Sequence, residues 1–251
     1  MPLPDLEGRV AVVTGASRGI GAALARSWKA RGLRLGVFAR GEPVLHEGPD
    51  VVSARLDVTD EKALAAFVCR VEERFGAIDC WVNNAGVLEP IAPLRDVDAE
   101  AFRRHLDVNL TGVFLGTRAF VRHLRAKRHQ GVLLNVSSGA AQNAYAGWAA
   151  YCAAKAGVDR LTEVVQLEEA DSGLRAHAVA PGVVDTAMQA LIRETPAERF
   201  PALERFEALA RDERFNSPAF VAERLLAIAF DPEHRPDGVV VRLPWEKGEP
   251  G

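Results

Sequence analysis

The feature that most constrains the fold is an alternation of short apolar runs with longer segments of helical periodicity. The short runs are typical of buried strands, and the longer segments place apolar side chains every three or four residues. Parallel strands need a crossover connection, usually a helix, so the alternation indicates a parallel sheet with helices on both faces. We predict a three-layer α/β fold, a Rossmann-type doubly wound parallel sheet of about seven strands. The predicted strands are residues 9–13, 33–38, 51–56, 78–82, 132–136, 176–180 and 239–243, and the predicted helices are residues 20–31, 61–75, 98–128 (two successive helices), 149–169 and 220–230.

A single domain is predicted over residues 1–251, because no repeat, low-complexity run or linker interrupts the alternation. Residues 186–217 carry two prolines and both signs of charge, and we expect this insertion between a strand and a helix to cover the substrate. Hydrophobic residues make up 48% of the chain, which is enough for a substantial core. The net charge of -3 gives no reason to expect a nucleic acid or an anionic membrane as a partner.

Cysteine usage and the N-terminus both favour a cytoplasmic protein. The three cysteines, Cys69, Cys80 and Cys152, are too scattered for a disulfide framework or a zinc site, and the six histidines show no metal-like grouping. Residues 1–8 lack the basic start and apolar run of a signal peptide, and no stretch approaches the roughly 20 apolar residues of a membrane helix. We therefore predict a cytoplasmic protein with no metal site, in which Cys152 has a packing role.

A glycine-rich loop links the first predicted strand to the first helix. Glycines at 15, 19 and 21 would let the backbone approach a pyrophosphate closely, and the helix N-terminus beyond them would offer N–H groups and partial positive charge. This setting indicates a dinucleotide site, although any tight strand-to-helix turn uses glycine. The predicted contacts from the loop are Gly15, Ser17, Arg18, Gly19, Ile20 and Gly21.

The end of the second strand favours NADP(H) over NAD. An acidic residue there would bind the ribose 2′-hydroxyl of NAD, but the strand ends in Ala39-Arg40 and has no carboxylate. Arg40 and Arg18 supply two guanidinium groups, whose planar forks pair well with phosphate oxygens, and Ser17 adds a hydroxyl donor. The alternative is that both arginines are ordinary solvated surface residues.

Tyr151 and Lys155 are the strongest candidates for chemistry. They stand four residues apart on a predicted helix and so share one face. A nearby ammonium favours the phenolate and would lower a tyrosine pKa, which is ordinarily about 10, toward the working pH of a general acid. Ser138, at the end of the preceding strand, is placed to hold a substrate carbonyl against the phenol. Taken alone, the pair is more typical of a helix surface than of a catalytic site.

Together, these residues resemble the short-chain dehydrogenase/reductase family. The match includes the glycine loop, the turn Asn83-Asn84-Ala85-Gly86, and Ser138, Tyr151 and Lys155, and it extends over nearly the whole chain. The resemblance implies that Asn109 is a fourth catalytic residue, which distorts its helix and holds a water next to Lys155. It also implies cofactor contacts from Asp57, Val58, Asn84, Ala85, Gly86, Tyr151, Lys155, Pro181, Gly182, Val184 and Thr186.

A narrower resemblance, to the sepiapterin reductase and benzil reductase branch, lies in residues 84–90, 147–152 and 185–189. That branch uses NADPH to reduce one carbonyl of a vicinal dicarbonyl. A pterin would need an acidic anchor near the C-terminus, where only Glu246 is available, so an apolar or aromatic dicarbonyl fits better. Candidate substrate contacts, besides Ser138 and Tyr151, are Trp148, Met188, Phe206 and Trp245, with plain core packing as the alternative for the aromatic residues.

The function expected from these residues is NADPH-dependent reduction of a ketone to an alcohol. Ser138 would bind the carbonyl oxygen, Tyr151 would donate the proton, and Lys155 would bind the nicotinamide ribose and lower the phenol pKa. Alternatives are oxidation of a secondary alcohol with NAD(P), 3-oxoacyl reduction, and a catalytically silent dinucleotide-binding sensor. The resemblance also implies a homodimer or homotetramer associated through residues 98–128 and 149–169.

Overall fold

Seven parallel strands form the central sheet of the computed structural model, which describes residues 6–212 and 214–248. The sheet order is β3-β2-β1-β4-β5-β6-β7, and every neighbouring pair is parallel. The predicted fold class is therefore confirmed. The strands are β1 Val10–Thr14, β2 Arg34–Ala39, β3 Val51–Arg55, β4 Cys80–Asn83, β5 Gly131–Val136, β6 Leu174–Ala180 and β7 Val240–Arg242.

The strand order reverses between β1 and β4, because the chain builds outward from β1 to β3 and then returns to begin the other half. Loops that leave the two strands at such a point diverge, and they open a crevice beyond the carboxyl ends of the strands. The fold therefore places the glycine loop after β1 and the Asn83–Gly86 turn after β4 side by side at this crevice.

Helices cover both faces of the sheet, as predicted. Helices α1 and α8 pack on one face, where Trp28, Leu24 and Leu225 enter the buried core. Helices α2, α4 and α5 pack on the other face, where Phe67 and Phe120 are fully buried. The helices are α1 Gly19–Ala30, α2 Glu61–Phe75, α3 Ala99–Leu106, α4 Gly112–Lys127, α5 Ala149–Glu168, α6 Ala187–Arg193, α7 Leu203–Arg211 and α8 Pro218–Phe230.

The long helical segment predicted at residues 98–128 is two helices joined by a π-helical turn. Helix α3 runs directly into the π-helical residues Asp107–Thr111, which continue into α4. Turns of this kind occur mostly at functional sites, and this one contains Asn109. The helix distortion expected at Asn109 is therefore present.

The insertion at residues 186–217 contains α6 and α7 and returns to the sheet through a bridge between Val184 and Asn216. Asn216 is fully buried, and its side chain donates to the carbonyl oxygens of Pro181 (2.9 Å) and Pro244 (3.1 Å). These bonds tie the end of the insertion to the turn after β6. Within the part of the chain that the structure describes, no helix is long and apolar enough to cross a membrane.

Candidate active site

A cavity of about 1030 Å³ lies along the carboxyl ends of the strands. Its walls come from the segments that follow all seven strands, together with α5, α6 and α7. With one exception, every predicted catalytic, cofactor-binding and substrate-binding residue lines this cavity. The fold thus brings together residues from position 15 to position 245 of the chain.

Gly21 is the exception: it does not line the cavity, and its cofactor contact stays a prediction. It lies in the first turn of α1, where a Cβ would stand 2.4 Å from both Asn84 Nδ2 and Gly15 O. Gly21 therefore lets α1 pack tightly against the turn after β4. The sequence pattern does not separate a glycine that contacts a phosphate from one that permits close packing.

The glycine loop has the shape that a pyrophosphate site requires. Gly15 and Gly19 have φ angles of +70° and +55°, which glycine adopts more readily than other residues. A Cβ on Gly15 would stand only 2.7 Å from Ala85 Cα. Thr14 Oγ1 accepts hydrogen bonds from Asn84 N (3.0 Å) and Ala85 N (2.9 Å), so this hydroxyl holds the two turns together. The loop and the N-terminus of α1 fit a dinucleotide phosphate.

At the end of the cavity beside β2 and β3, where the adenosine is predicted to lie, Arg18 and Arg40 are exposed, and neither forms a salt bridge with any residue that the structure describes. Asp57 also lines this end, but its Oδ1 accepts from Thr59 N (3.0 Å) and Thr59 Oγ1 (2.8 Å). Asp60 caps α2 by accepting from Ala63 N at 3.0 Å. Asp57 therefore stabilises a turn and lines the cavity at once.

The three residues proposed for chemistry meet in the middle of the cavity. Ser138 follows β5, and its Oγ accepts from Ala140 N at 3.2 Å, so its own proton is not used in that bond. Tyr151 and Lys155 lie on α5 with 8% and 5% of their surfaces exposed. Lys155 Nζ donates to Val136 O at 2.7 Å and lies 5.7 Å from the centroid of the Tyr151 ring.

Burial raises the pKa of Tyr151, and a hydrogen bond with Ser138 only partly opposes that effect. The prediction that Lys155 lowers this pKa below its ordinary value is therefore wrong. Burial also lowers the pKa of Lys155, to about 8, although the nearby Asp159 acts in the opposite direction. The phenol and the ammonium share one buried site, and desolvation disfavours the charged form of each. Tyr151 is thus held as a protonated phenol.

Asn109 is fully buried in the π-helical turn, and its side chain is occupied by protein partners. Its Oδ1 accepts from Val87 N at 3.0 Å, while its Nδ2 donates to Val87 O at 2.9 Å and lies 2.9 Å from His105 Nε2. The water expected beside Lys155 stays a prediction. His105 was not predicted as a site residue, although it stands four residues before Asn109 and so shares its helix face.

Aromatic side chains cluster at the end of the cavity where the substrate is predicted to bind. Trp148 stacks on Phe200 with ring centroids 4.5 Å apart and lies 5.3 Å from Phe206 and 5.5 Å from Tyr151. Tyr145 lies 5.1 Å from Trp148. Trp148 and Phe206 are buried and line the cavity at the same time, so the packing and pocket interpretations both hold. Tyr145, which lines the cavity, was missed, and so was Phe200, which packs against Trp148 without lining the cavity. Phe200 and Phe206 reach Tyr145 and Trp148 only through the folding of the insertion.

Met188 and Trp245 line the cavity, as predicted, and Arg205 and Arg242 join them. Glu246, the only acidic candidate for a pterin anchor, instead accepts hydrogen bonds from Ser217 N (2.6 Å) and Ser217 Oγ (3.0 Å) at the start of α8. Its carboxylate is therefore occupied outside the cavity.

The described residues contain no group of three or more His, Cys, Asp or Glu side chains that could hold a metal ion. All three cysteines are free, and Cys152 packs beside the aromatic end of the cavity.

Comparison with known proteins identifies several relatives. The family model for short chain dehydrogenases matches residues 9–197. The cis-4-hydroxycyclohexanecarboxylate dehydrogenase of Sinomonas cyclohexanicum is 40% identical, with 88% of this chain and 94% of the relative aligned. The (S)-benzoin-forming benzil reductase of Bacillus cereus is 33% identical, with 94% and 99% aligned. Among solved structures, the 3-ketoacyl-(acyl-carrier-protein) reductase from Brucella melitensis complexed with NADH is 28% identical, covers 95% of this chain and 97% of its own, and superposes with a TM-score of 0.80.

Proposed function

The chain belongs to the short-chain dehydrogenase/reductase family, and from this premise we propose that it is an NADPH-dependent carbonyl reductase acting on one carbonyl of a vicinal dicarbonyl. Membership makes the chain an oxidoreductase that uses a nicotinamide dinucleotide on alcohol and ketone groups. The observation that carries the proposal is the meeting of Ser138, a buried and protonated Tyr151, and Lys155 at one cavity. The direction of reaction, the phosphate on the coenzyme and the dicarbonyl are proposals of our own.

Each of the cavity residues Ser138, Tyr151 and Lys155 would have a separate role in the reduction. A bound reduced nicotinamide would supply the hydride. The Ser138 hydroxyl would donate to the carbonyl oxygen, where negative charge develops during the reaction. Tyr151, whose pKa is raised by burial, would keep its proton until an alkoxide accepts it. Lys155 would hold the ribose hydroxyl groups, and the π-helical turn at Asn109 would connect Lys155 to solvent protons.

Two features of the adenosine end support NADPH. The strand β2 ends without a carboxylate, so no acidic side chain at that strand end would repel a 2′-phosphate. Arg18 and Arg40 line that end, and both are exposed. A guanidinium pairs with phosphate through two parallel hydrogen bonds, which a ribose hydroxyl cannot match.

The aromatic cluster supports a dicarbonyl with an apolar or aromatic body. Tyr145, Trp148 and Phe206 present ring faces and edges to the cavity beside Tyr151, and rings of this kind bury large apolar surfaces. The similarity to benzil reductases points to the same substrate class. With Glu246 engaged at α8, we do not extend the proposal to pterins.

A second candidate is the reverse reaction, oxidation of a ring alcohol that carries a carboxylate. It is favoured by the 40% identity to a dehydrogenase named for cis-4-hydroxycyclohexanecarboxylate. It is also favoured by Arg205 and Arg242 at the substrate end, where a carboxylate could pair with a guanidinium. Arg205 Cζ lies 5.8 Å from the centroid of the Tyr145 ring, which holds this cation at the aromatic wall.

Coenzyme absorbance with a matched set of substrates tests the two candidates. Benzil and a monoketone of similar size would be offered with NADPH and with NADH, and cis-4-hydroxycyclohexanecarboxylate and cyclohexanol with NADP⁺ and NAD⁺. We expect benzil with NADPH to give the highest kcat/KM. Faster turnover of the hydroxy acid, lost in Arg205→Ala, would establish the second candidate. Activity with NADH equal to that with NADPH would reject the assignment of Arg18 and Arg40.

We also propose that the protein forms a homo-oligomer and works in the cytoplasm. Phe114 on α4, and Val164 and Leu167 on α5, leave 40%, 40% and 80% of their surfaces exposed, which suits association through these helices. Three free cysteines suit a reducing compartment. A monomer mass in light scattering, retained at assay concentration, would contradict the oligomer.

A further inference from the structure

His105 is a buried titratable residue that the proposed chemistry does not use. It lies at the end of α3 with 1% of its surface exposed. Its Nδ1 is 2.7 Å from Glu89 O, and its Nε2 is 2.9 Å from Asn109 Nδ2. The edge of its ring meets Tyr151, with centroids 6.0 Å apart and planes at 82°. One imidazole therefore contacts the cavity wall, the π-helical turn and the proposed acid.

These contacts determine which nitrogen of His105 carries the proton. A carbonyl oxygen only accepts, so Nδ1 must donate to Glu89 O. The Asn109 side chain is oriented by Val87, whose N–H is donated to Oδ1 and whose carbonyl accepts from Nδ2. The remaining Nδ2 proton faces Nε2 at 2.9 Å, with His105 O as a longer acceptor at 3.3 Å. Because an amide NH₂ group only donates, an Nε2 this close to it must be unprotonated. His105 is thus the neutral Nδ1–H tautomer.

The same bonds hold the segment that forms one wall of the cavity. Residues 87–89 line the cavity, and both ends of this segment are hydrogen-bonded to the helical residues behind it. Val87 bonds to Asn109, and Glu89 bonds to His105. Gly86 permits the close approach, because a Cβ there would stand 2.7 Å from Asn109 Oδ1. Without His105, this wall would lose its bond at Glu89 and Asn109 would lose an acceptor.

We propose that His105 is a positioning residue, which as the neutral Nδ1–H tautomer holds the wall at residues 87–89 and the ring of Tyr151 in register with the coenzyme site. It touches neither the substrate nor the reacting atoms. Its effect reaches the reaction through the Asn109–Val87 bonds and through the edge contact with Tyr151.

Protonation of His105 would break this arrangement, because a proton on Nε2 would face the Asn109 donor. The groups that meet the ring are the Glu89 carbonyl, the Asn109 amide and the Tyr151 phenol, and the charge of Lys155 also acts on it. Burial lowers the pKa of His105 below its ordinary value; the hydrogen bond to the Glu89 carbonyl opposes this effect, and the charge of Lys155 adds to it. The residue is therefore neutral at neutral pH, and turnover should fall as the pH drops through its folded-state pKa.

His123 offers a matched control. It is also buried, and it also bonds a backbone group and a side chain: its Nε2 accepts from Ile78 N at 2.8 Å, and its Nδ1 is 2.5 Å from Glu72 Oε1. Ile78 precedes β4, so His123 acts at the opposite edge of the sheet from the cavity. Its loss should lower stability without touching the site.

The kinetic test compares His105→Phe, His105→Gln and His123→Phe with the parent across the acidic pH range, per folded molecule. We expect His105→Phe to lower kcat at least about tenfold, with little change in KM for NADPH. The variant should also lose the acidic limb of the pH profile, which is the fall in kcat as the pH drops through the pKa of His105. His105→Gln, which keeps an amide donor and acceptor, should recover part of kcat and also lack that limb. His123→Phe should lower only Tm. Parent-like kcat and an unchanged acidic limb in His105→Phe would overturn the proposal.

The kinetic test rests on the proposed function, since it needs a carbonyl that the enzyme turns over. Nitrogen-15 NMR of the histidine side chains needs no substrate and reads the tautomer directly. A neutral Nδ1–H signal for His105, lost in His105→Gln, would support the arrangement even if no carbonyl in the panel were reduced, in which case the proposed function alone would fail. An Nε2–H tautomer or a protonated ring at neutral pH would overturn the proposal for His105.

Discussion

Replacing Lys155 by Met should stabilise the folded protein while abolishing carbonyl reduction. Lys155 keeps its ammonium in a buried site where its pKa is lowered to about 8 from 10.5. A methionine has a similar reach and no charge to desolvate. Residues that serve a site often carry a stability cost of this kind.

The size of the effect follows from the pKa. Each pKa unit corresponds to about 1.4 kcal/mol, so the lowered pKa of Lys155 implies a cost of about 3 kcal/mol at neutral pH. The substitution also removes the 2.7 Å hydrogen bond to Val136 O, which contributes about 1 kcal/mol. We therefore expect a net gain of about 2 kcal/mol at about pH 7, or roughly 4–8 °C in Tm for a chain of this size.

The pH dependence gives the sharper test. Because the folded pKa lies below the unfolded one, the unfolded wild-type chain binds more protons between pH 8 and 10.5, and wild-type stability rises through that window. The variant lacks this contribution, so its advantage should be constant below about pH 8 and fall to about zero near pH 10.

Urea unfolding of both proteins at several pH values from about 7 to 10, without coenzyme, measures this difference. Lys62→Met on the exposed face of α2 makes the same chemical change in solvent, and it should show no pH-dependent difference. A Lys155→Met advantage that is absent at neutral pH, or that does not change with pH, would refute the claim that the buried ammonium destabilises the fold.

Three further outcomes are expected at the cavity. Tyr151→Phe should lower kcat by about 10²–10⁴-fold with unchanged NADPH affinity by fluorescence, since only proton donation is lost, and parent-like turnover would remove Tyr151 as the acid. Arg40→Asp should shift the ratio of kcat/KM for NADPH to that for NADH by at least about tenfold toward NADH, because a carboxylate repels a 2′-phosphate, and an unchanged ratio would reject the phosphate site. Gly86→Ala should lower both activity and Tm, because its Cβ would stand 2.7 Å from Asn109 Oδ1, whereas Gly238→Ala, with its nearest contact at 3.8 Å, should change neither, and equal effects would contradict the packing argument.

The fold class could be predicted because strand and helix periodicity are local properties of a sequence. The strands β1 to β6 lie within one or two residues of their predicted ends, and the parallel arrangement follows from the helices between them. Strand β7 was detected but its ends were not, because it contains only the three residues Val240–Arg242 and is shorter than predicted. Its pairing with β6, rather than its own pattern, decides where it ends.

Motif spacing also located most of the candidate site. Glycine at 15 and 19, the pair Tyr151 and Lys155, and the serine that precedes them all line one cavity. Each of these motifs spans the end of one element and the start of the next. Parallel strands gather such junctions at one edge of the sheet, so local patterns were enough to place them together.

Two roles became visible only through contacts between residues far apart in the chain. Position 21 must be glycine because a Cβ there would clash with Asn84, and the carboxylate of Glu246 accepts hydrogen bonds from Ser217. His105 was missed for a related reason, since its importance comes from Glu89 and Tyr151 and not from its place on α3. A pattern of residue types along the chain does not show which distant residues will form hydrogen bonds or packing contacts with a given side chain.

The sequence by itself determined the sheet and the glycine loop, and it indicated the side chains proposed to react, since these depend on periodicity and on spacing within single junctions. Only the tertiary structure decided the protonation of Tyr151 and Lys155. Spacing on α5 predicts an attraction between ammonium and phenolate, but the whole fold removes water from both groups. Desolvation depends on every neighbour that excludes solvent, and it outweighs the interaction between two residues of one helix.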